Sequence, residues 1–144
     1  LKYYQIDVRW KNITVIGRSN IVGKPMTLML VNAGATVTSC NSNTQNLWDI
    51  TRKSDIIIVA TGKPWLLTRN MVTEKSIVID VGCTFVDWVA CGDTDYTDLK
   101  EYVAAISPVP GGVGPMTVAT LIENTWKAFL NQKKEKDSIV ELRS

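Results

Sequence analysis

The residues with the most chemical promise sit in short loops, and the first of these runs Gly17-Arg18-Ser19-Asn20-Ile21-Val22-Gly23-Lys24-Pro25. Two glycines bracket a polar stretch, and Pro25 suits the first turn of a helix, so free N–H groups and a positive dipole end are offered to an anion such as phosphate. The spacing is not G-x-G-x-x-G. Nor is it the P-loop G-x-x-x-x-G-K-[ST], because Pro25 stands where a magnesium-ligating Ser or Thr is needed. A turn that uses its glycines for geometry alone explains the loop equally well.

The second loop is Asn41-Ser42-Asn43-Thr44. A dinucleotide-binding domain for NAD usually carries an acid about 20 residues after its glycine turn, to bond the ribose hydroxyls. No acid stands here, and Asp49 falls inside the next helical pattern. Arg18 can reach the same corner and Ser42 offers a hydroxyl, so the charge balance favours a 2′-phosphate, and NADP over NAD. A solvated surface role for Arg18 is the alternative. The third loop, Thr61-Gly62-Lys63-Pro64, and the fourth, Asp80-Val81-Gly82-Cys83, each end an apolar run on a glycine that admits close backbone approach. The fifth, Pro108 to Thr117 (PVPGGVGPMT), is so dense in proline and glycine that neither helix nor strand is expected in it, and an X-Pro bond there is a candidate for the cis form.

What is missing narrows the chemistry further. The chain has 144 residues and no histidine, which removes Ser-His-Asp and Cys-His nucleophilic sites and most neutral-pH general bases. Cys40, Cys83 and Cys91 show no C-x-x-C spacing, so neither a disulfide framework nor a metal site is expected. A net charge of +2 is too small to suggest a nucleic-acid surface. No run is long enough for a membrane span and the N-terminus lacks a signal-peptide core, so an intracellular, cytoplasmic protein is expected. Leu1 in place of Met points to processing or to excision from a longer chain.

The elements that must position these loops follow from periodicity. Runs rich in Val, Ile and Thr recur at Asn12 to Ile16, Thr36 to Cys40, Asp55 to Ala60, Ser76 to Asp80 and Ala104 to Ser107, some of them nearly continuous in apolar residues. Helical segments are expected between them, at Pro25 to Ala33 (with Met26, Met29, Leu30 and Ala33 on one face), Leu47 to Lys53, Thr68 to Thr73 and Tyr96 to Val103. Strand alternating with helix gives an α/β, Rossmann-like, doubly wound and mainly parallel sheet. Two segments fall outside the alternation: CTFVDWVACG reads as a projecting hairpin turning at Asp87 and Trp88, and a last helix runs from Met116 to about Gln132. The expected division is a lead-in over 1–11, one domain over 12–131 and a charged tail over 132–144, whose Ile139, Val140 and Leu142 suit packing in a longer protein.

Taken in order and spacing, VIGRSNIVGKPM, TVTSCNSNTQNL, DIIIVATGKPWLL, SIVIDVG, CGD and ISPVPGGVGPMTVATLIENT closely resemble the cofactor-binding domain of the methylenetetrahydrofolate dehydrogenase/methenyltetrahydrofolate cyclohydrolase family. The resemblance implies oxidation of methylenetetrahydrofolate with NADP, or NAD in some members, and usually hydrolysis of the methenyl product. It also implies that Gly17, Arg18 and Ser19 contact the pyrophosphate and adenosine side and that Ser42 faces the ribose 2′ position. Cys83 stands where the family commonly has Ile beside the cofactor, and Gly62, Gly82 and Thr117 would border the nicotinamide end. Asn41 and Asn43 replace the His and basic residue common around that serine, and the hairpin lacks the usual Asn-Arg pair.

The family's catalytic Lys, within Tyr-x-x-x-Lys, and most of its folate contacts belong to an N-terminal domain, so no catalytic residue is expected in this chain. Tyr96 and Lys100 repeat the spacing but are expected on a solvated helix. The resemblance further implies a homodimer, with the apolar hairpin as a contact. The competing reading is a stand-alone dinucleotide-binding or regulatory module that never catalyses.

Overall fold

The computed structural model describes residues 1–141, and side chains for residues 1–134. The chain divides into two compact units, Leu1–Val113 and Gly114–Ser144. The first unit holds five parallel strands: β1 (Asn12–Ile16), β2 (Thr36–Cys40), β3 (Ile56–Val59), β4 (Ile77–Asp80) and, after a separate hairpin of β5 (Thr84–Val86) and β6 (Val89–Cys91), β7 (Ala105–Ile106). Their order across the sheet is β2-β1-β3-β4-β7. The helices of this unit are α1 (Gly23–Asn32), α2 (Leu47–Arg52) and α3 (Tyr96–Leu99).

The continuous apolar runs occupy the middle of the sheet because both faces there are covered. All four residues of β3 are buried. With a period of two, Ile56 and Ile58 join Ile13, Val15 and Leu30 on one face, while Ile57 and Val59 join Ile16, Leu67, Val78 and Leu99 on the other. Met26 and Leu30 carry the apolar stripe of α1, and Ile6 and Val8 of the N-terminal segment pack against the same cluster. Met29, expected in that stripe, is exposed: it lies about 100° round the helix from Leu30, and one face suffices to cover the edge of the sheet.

Other expectations are adjusted at element ends. The segment Thr68 to Thr73 contains only a 3-10 turn at Arg69–Met71, and α3 stops at Leu99. The hairpin turns at Asp87 (φ 48°) and Trp88 (φ 66°), the two consecutive left-handed residues of a two-residue turn matched to strand twist.

The second unit is the helix α4 (Val113–Glu141) after its first residue. It begins inside the segment expected to be non-helical. Pro115 falls in the first turn, where a missing N–H costs no hydrogen bond, so the proline-rich run can open a helix as well as end a loop. The helix also continues past Gln132, where the charged tail was expected; the side chains of Ile139 and Val140, and all of Leu142, lie outside the described residues. Within α4 the rings of Trp126 and Phe129 stack at 5.6 Å, and Lys127 pairs with Glu123 at 2.6 Å.

Candidate functional site

The strand order reverses at β1: the chain leaves β1 for β2 on one side and returns to β3 on the other. Such a switch point opens a crevice beyond the carboxyl ends of the strands, where ligands of open α/β sheets bind. Gly17 lies there with φ 120°, and a Cβ built on it would stand 2.1 Å from the carbonyl oxygen of Ala60 at the end of β3. Only glycine lets the loops after β1 and β3 approach this closely.

The turn that follows is shaped for an anion. The Ser19 hydroxyl accepts from the N–H groups of Val22 at 3.1 Å and Gly23 at 3.4 Å, which ties the turn to the start of α1. Among the described hydrogen bonds, the backbone N–H groups of Arg18, Ser19, Asn20 and Ile21 have no acceptor. They remain on offer, and the Ser19 O–H can still donate. Gly23 is as constrained as Gly17, since a Cβ on it would lie 1.9 Å from the Gly17 carbonyl oxygen.

Arg18 bends toward β2, where its Nη2 donates to the Ser39 carbonyl oxygen at 2.8 Å. That holds the guanidinium at the corner from which residues 41–44 leave the sheet. Here Asn41 accepts from the Asn43 N–H, and among the described hydrogen bonds the exposed Ser42 hydroxyl donates to its neighbour Asn43, at 3.5 Å. Asp49 pairs with Lys53 on α2 at 2.9 Å, so no acid enters the corner from that helix. Cys40, 1% exposed, sits beneath; burial pushes its thiol pKa up, against a smaller opposing pull from Thr44 and the Arg18 charge.

The loops after β3 and β4 are joined by two buried aspartates that the sequence reading left out of the site. Asp80 ends β4, and its carboxylate accepts from the N–H groups of Gly82 (2.9 Å), Asp93 (3.1 Å) and Thr94 (2.8 Å) and from the Thr94 hydroxyl (2.7 Å). Asp93 Oδ2 accepts from the N–H groups of Thr61 and Gly62 and from the Thr61 hydroxyl. Two glycines make room for the pair. A Cβ on Gly82 would lie 2.2 Å from Asp93 Cγ, and one on Gly92 would lie 2.2 Å from Asp80 Oδ2. The sequence signal was an acid closing an apolar strand and another following a glycine, both short and common.

The structure therefore brings Gly17, Arg18, Ser19, Ser42, Gly62 and Gly82 to one edge of the sheet, and the exposed Cys83 follows Gly82. Thr117 lies on α4 and belongs to the second unit. Tyr96 and Lys100 are both exposed, on and just after α3, as a solvated pair should be. The Val109–Pro110 bond is cis. Among the described residues no cluster of metal-ligating side chains forms.

A Rossmann-like sheet with a glycine turn at its switch point is the architecture of a dinucleotide-binding domain. Residues 1–133 match the family model described as tetrahydrofolate dehydrogenase/cyclohydrolase, NAD(P)-binding domain, and the chain belongs to that family. It is 56% identical over 128 residues to the bifunctional protein FolD of Methanosphaerula palustris, covering 89% of this chain and 46% of that protein. Among solved structures it resembles the bifunctional FolD methylenetetrahydrofolate dehydrogenase/cyclohydrolase of Campylobacter jejuni, with a TM-score of 0.88, 48% identity, and coverage of 91% and 47%. It also resembles the Trypanosoma brucei methylenetetrahydrofolate dehydrogenase-cyclohydrolase complexed with NADP cofactor and inhibitor, with a TM-score of 0.86, 36% identity, and coverage of 91% and 47%. The chain thus spans about half the length of the relatives it matches.

Proposed function

We propose that this chain is the NADP-binding half of a bifunctional methylenetetrahydrofolate dehydrogenase/methenyltetrahydrofolate cyclohydrolase of one-carbon metabolism, acting in the cytoplasm with a folate-binding domain that supplies the catalytic lysine. The observation that carries this reading is the donor set at the switch point: four unengaged N–H groups over residues 18–21 beside a guanidinium held at the end of β2. The pyrophosphate lies on the Gly17–Ser19 turn, Arg18 and Ser42 face the 2′-phosphate, and Gly62, Gly82 and Cys83 border the nicotinamide end. The assignment gives 12–131 to cofactor binding, 1–11 to a lead-in and 132–144 to a charged tail.

When bound, the nicotinamide supplies the hydride chemistry. This chain's residues bind, orient and exclude water, and none of them moves a proton. Asn41 and Asn43 contribute no charge to the 2′-phosphate, so the selectivity rests on the Arg18 charge together with the Ser42 hydroxyl. Self-association through Phe85, Trp88 and Val89 of the hairpin, all exposed, completes the reading.

Titration of the 144-residue chain with NADP and NAD tests it. NADP is expected to bind more tightly than NAD, and the chain alone is expected not to oxidise methylenetetrahydrofolate or hydrolyse its methenyl product. Binding of neither nucleotide removes the reading, and turnover by the chain alone contradicts the division of labour.

A further inference from the structure

Two aspartates at the strand-end loops, Asp80 (1% exposed) and Asp93 (0%), are buried without an ion pair among the described residues. Every donor they meet is a neutral N–H or O–H. Such bonds hold a carboxylate in place and spread its charge without cancelling it. Asp93 Oδ1 goes further: it is buried and has no hydrogen-bond partner among the described residues. Removing a charged group from water and leaving one of its oxygens unpaired is costly, and a fold that keeps such an arrangement gains something from the charge or from its placement.

The placement is at the loops assigned above to the nicotinamide end. Asp93 Oδ2 bonds the Gly62 N–H at 2.9 Å, and its Cγ lies against the Gly82 backbone. The oxidised nicotinamide ring carries a positive charge and the reduced ring is neutral. A fixed negative charge in a low-dielectric wall therefore discriminates between them, and a merely steric wall does not. Resting on the functional reading above, we propose that Asp93, held by its contact with the Asp80 clasp, is a specificity-determining residue that makes this site favour the oxidised over the reduced cofactor. It acts through the field it sets and through the Thr61–Gly62 turn it positions, without touching the ring.

The test is the ratio of dissociation constants for oxidised and reduced NADP, measured by calorimetry on the chain, on Asp93→Asn and on Thr61→Val. Asp93→Asn keeps one oxygen for the Thr61 and Gly62 donors, places its amide where Oδ1 has no partner, and removes the charge. Its expected effect is a shift of the ratio toward the reduced form by roughly tenfold, with the oxidised form losing most of the affinity. Thr61→Val deletes one hydroxyl bond and keeps the charge, so it is expected to weaken both forms alike and leave the ratio unchanged. Equal weakening of both forms by Asp93→Asn, or no weakening, overturns the inference while leaving the binding reading intact. If Asp93→Asn does not fold, the unaltered chain decides: reduced NADP bound as tightly as oxidised NADP overturns the inference. Failure of the unaltered chain to bind either form removes the functional reading and the inference with it.

Discussion

Gly17 and Arg18 divide the work at the first loop between shape and charge. Gly17 combines φ 120° with a carbonyl oxygen where its Cβ would be, so Gly17→Ala is expected to cost about 2–4 kcal/mol in urea unfolding and to open the switch-point crevice. Arg18→Ala removes a charge at the protein surface, where stability responds little. Its expected signature is a loss of NADP affinity of roughly tenfold or more, with NAD affinity nearly unchanged, read by parallel titrations. An equal loss for both nucleotides would place Arg18 elsewhere than at the 2′-phosphate. Among the cysteines, the exposed Cys83 is expected to alkylate first and saturating NADP to slow it, while Cys40, buried and with its thiol pKa pushed up, reacts only on unfolding. Mass spectrometry of the labelled chain separates the two. That Arg18 lies by the end of β2 and that no acid stands over residues 41–44 are local facts and were legible. Asp80 and Asp93 were not, since their meaning lies in bonds to residues 14 and 32 positions away.

Elements were easiest to read where burial is two-sided. β3 announces itself by uninterrupted Ile and Val, because a strand covered on both faces needs no polar alternation, whereas β4 ends on Asp80 and buries alternate residues. The short helices were harder: α3 has room for only four residues before the chain turns into β7, and its N-terminus depends on the Asp95 carboxylate accepting from the Asp98 N–H at 3.2 Å. Asp95→Ala is expected to cost about 1 kcal/mol, measured by the shift in denaturation midpoint. Proline misled at α4, because the same residue that breaks a helix interior is at home in a first turn. The hairpin offers an element-scale test of self-association. Trp88 is 96% exposed at φ 66°, a conformation glycine adopts freely, so Trp88→Gly is expected to leave stability unchanged or raise it by about 0.5–1 kcal/mol. Sedimentation is expected to show a weakened dimer for the same variant.

For the whole molecule, ligand and fold are coupled by mass action. A nucleotide that binds only the folded chain adds about 2.7 kcal/mol at a hundredfold excess over its dissociation constant, so NADP is expected to raise the thermal midpoint more than NAD at equal concentration. The parallel order β2-β1-β3-β4-β7 has a further bearing on how the chain is made. Four adjacent strands, the switch point and both aspartate carboxylates with the donors described for them lie within residues 12–94, before β7 and α4 in the chain. During synthesis, which releases the chain from its N-terminal side, the loops of the nucleotide edge can close on one another while the last strand and the long helix are still inside the ribosome. The loops of the proposed nucleotide edge then meet before the final edge strand is in place, and nucleotide in the surrounding solution is expected to act on the folding of the nascent chain as well as on the finished protein.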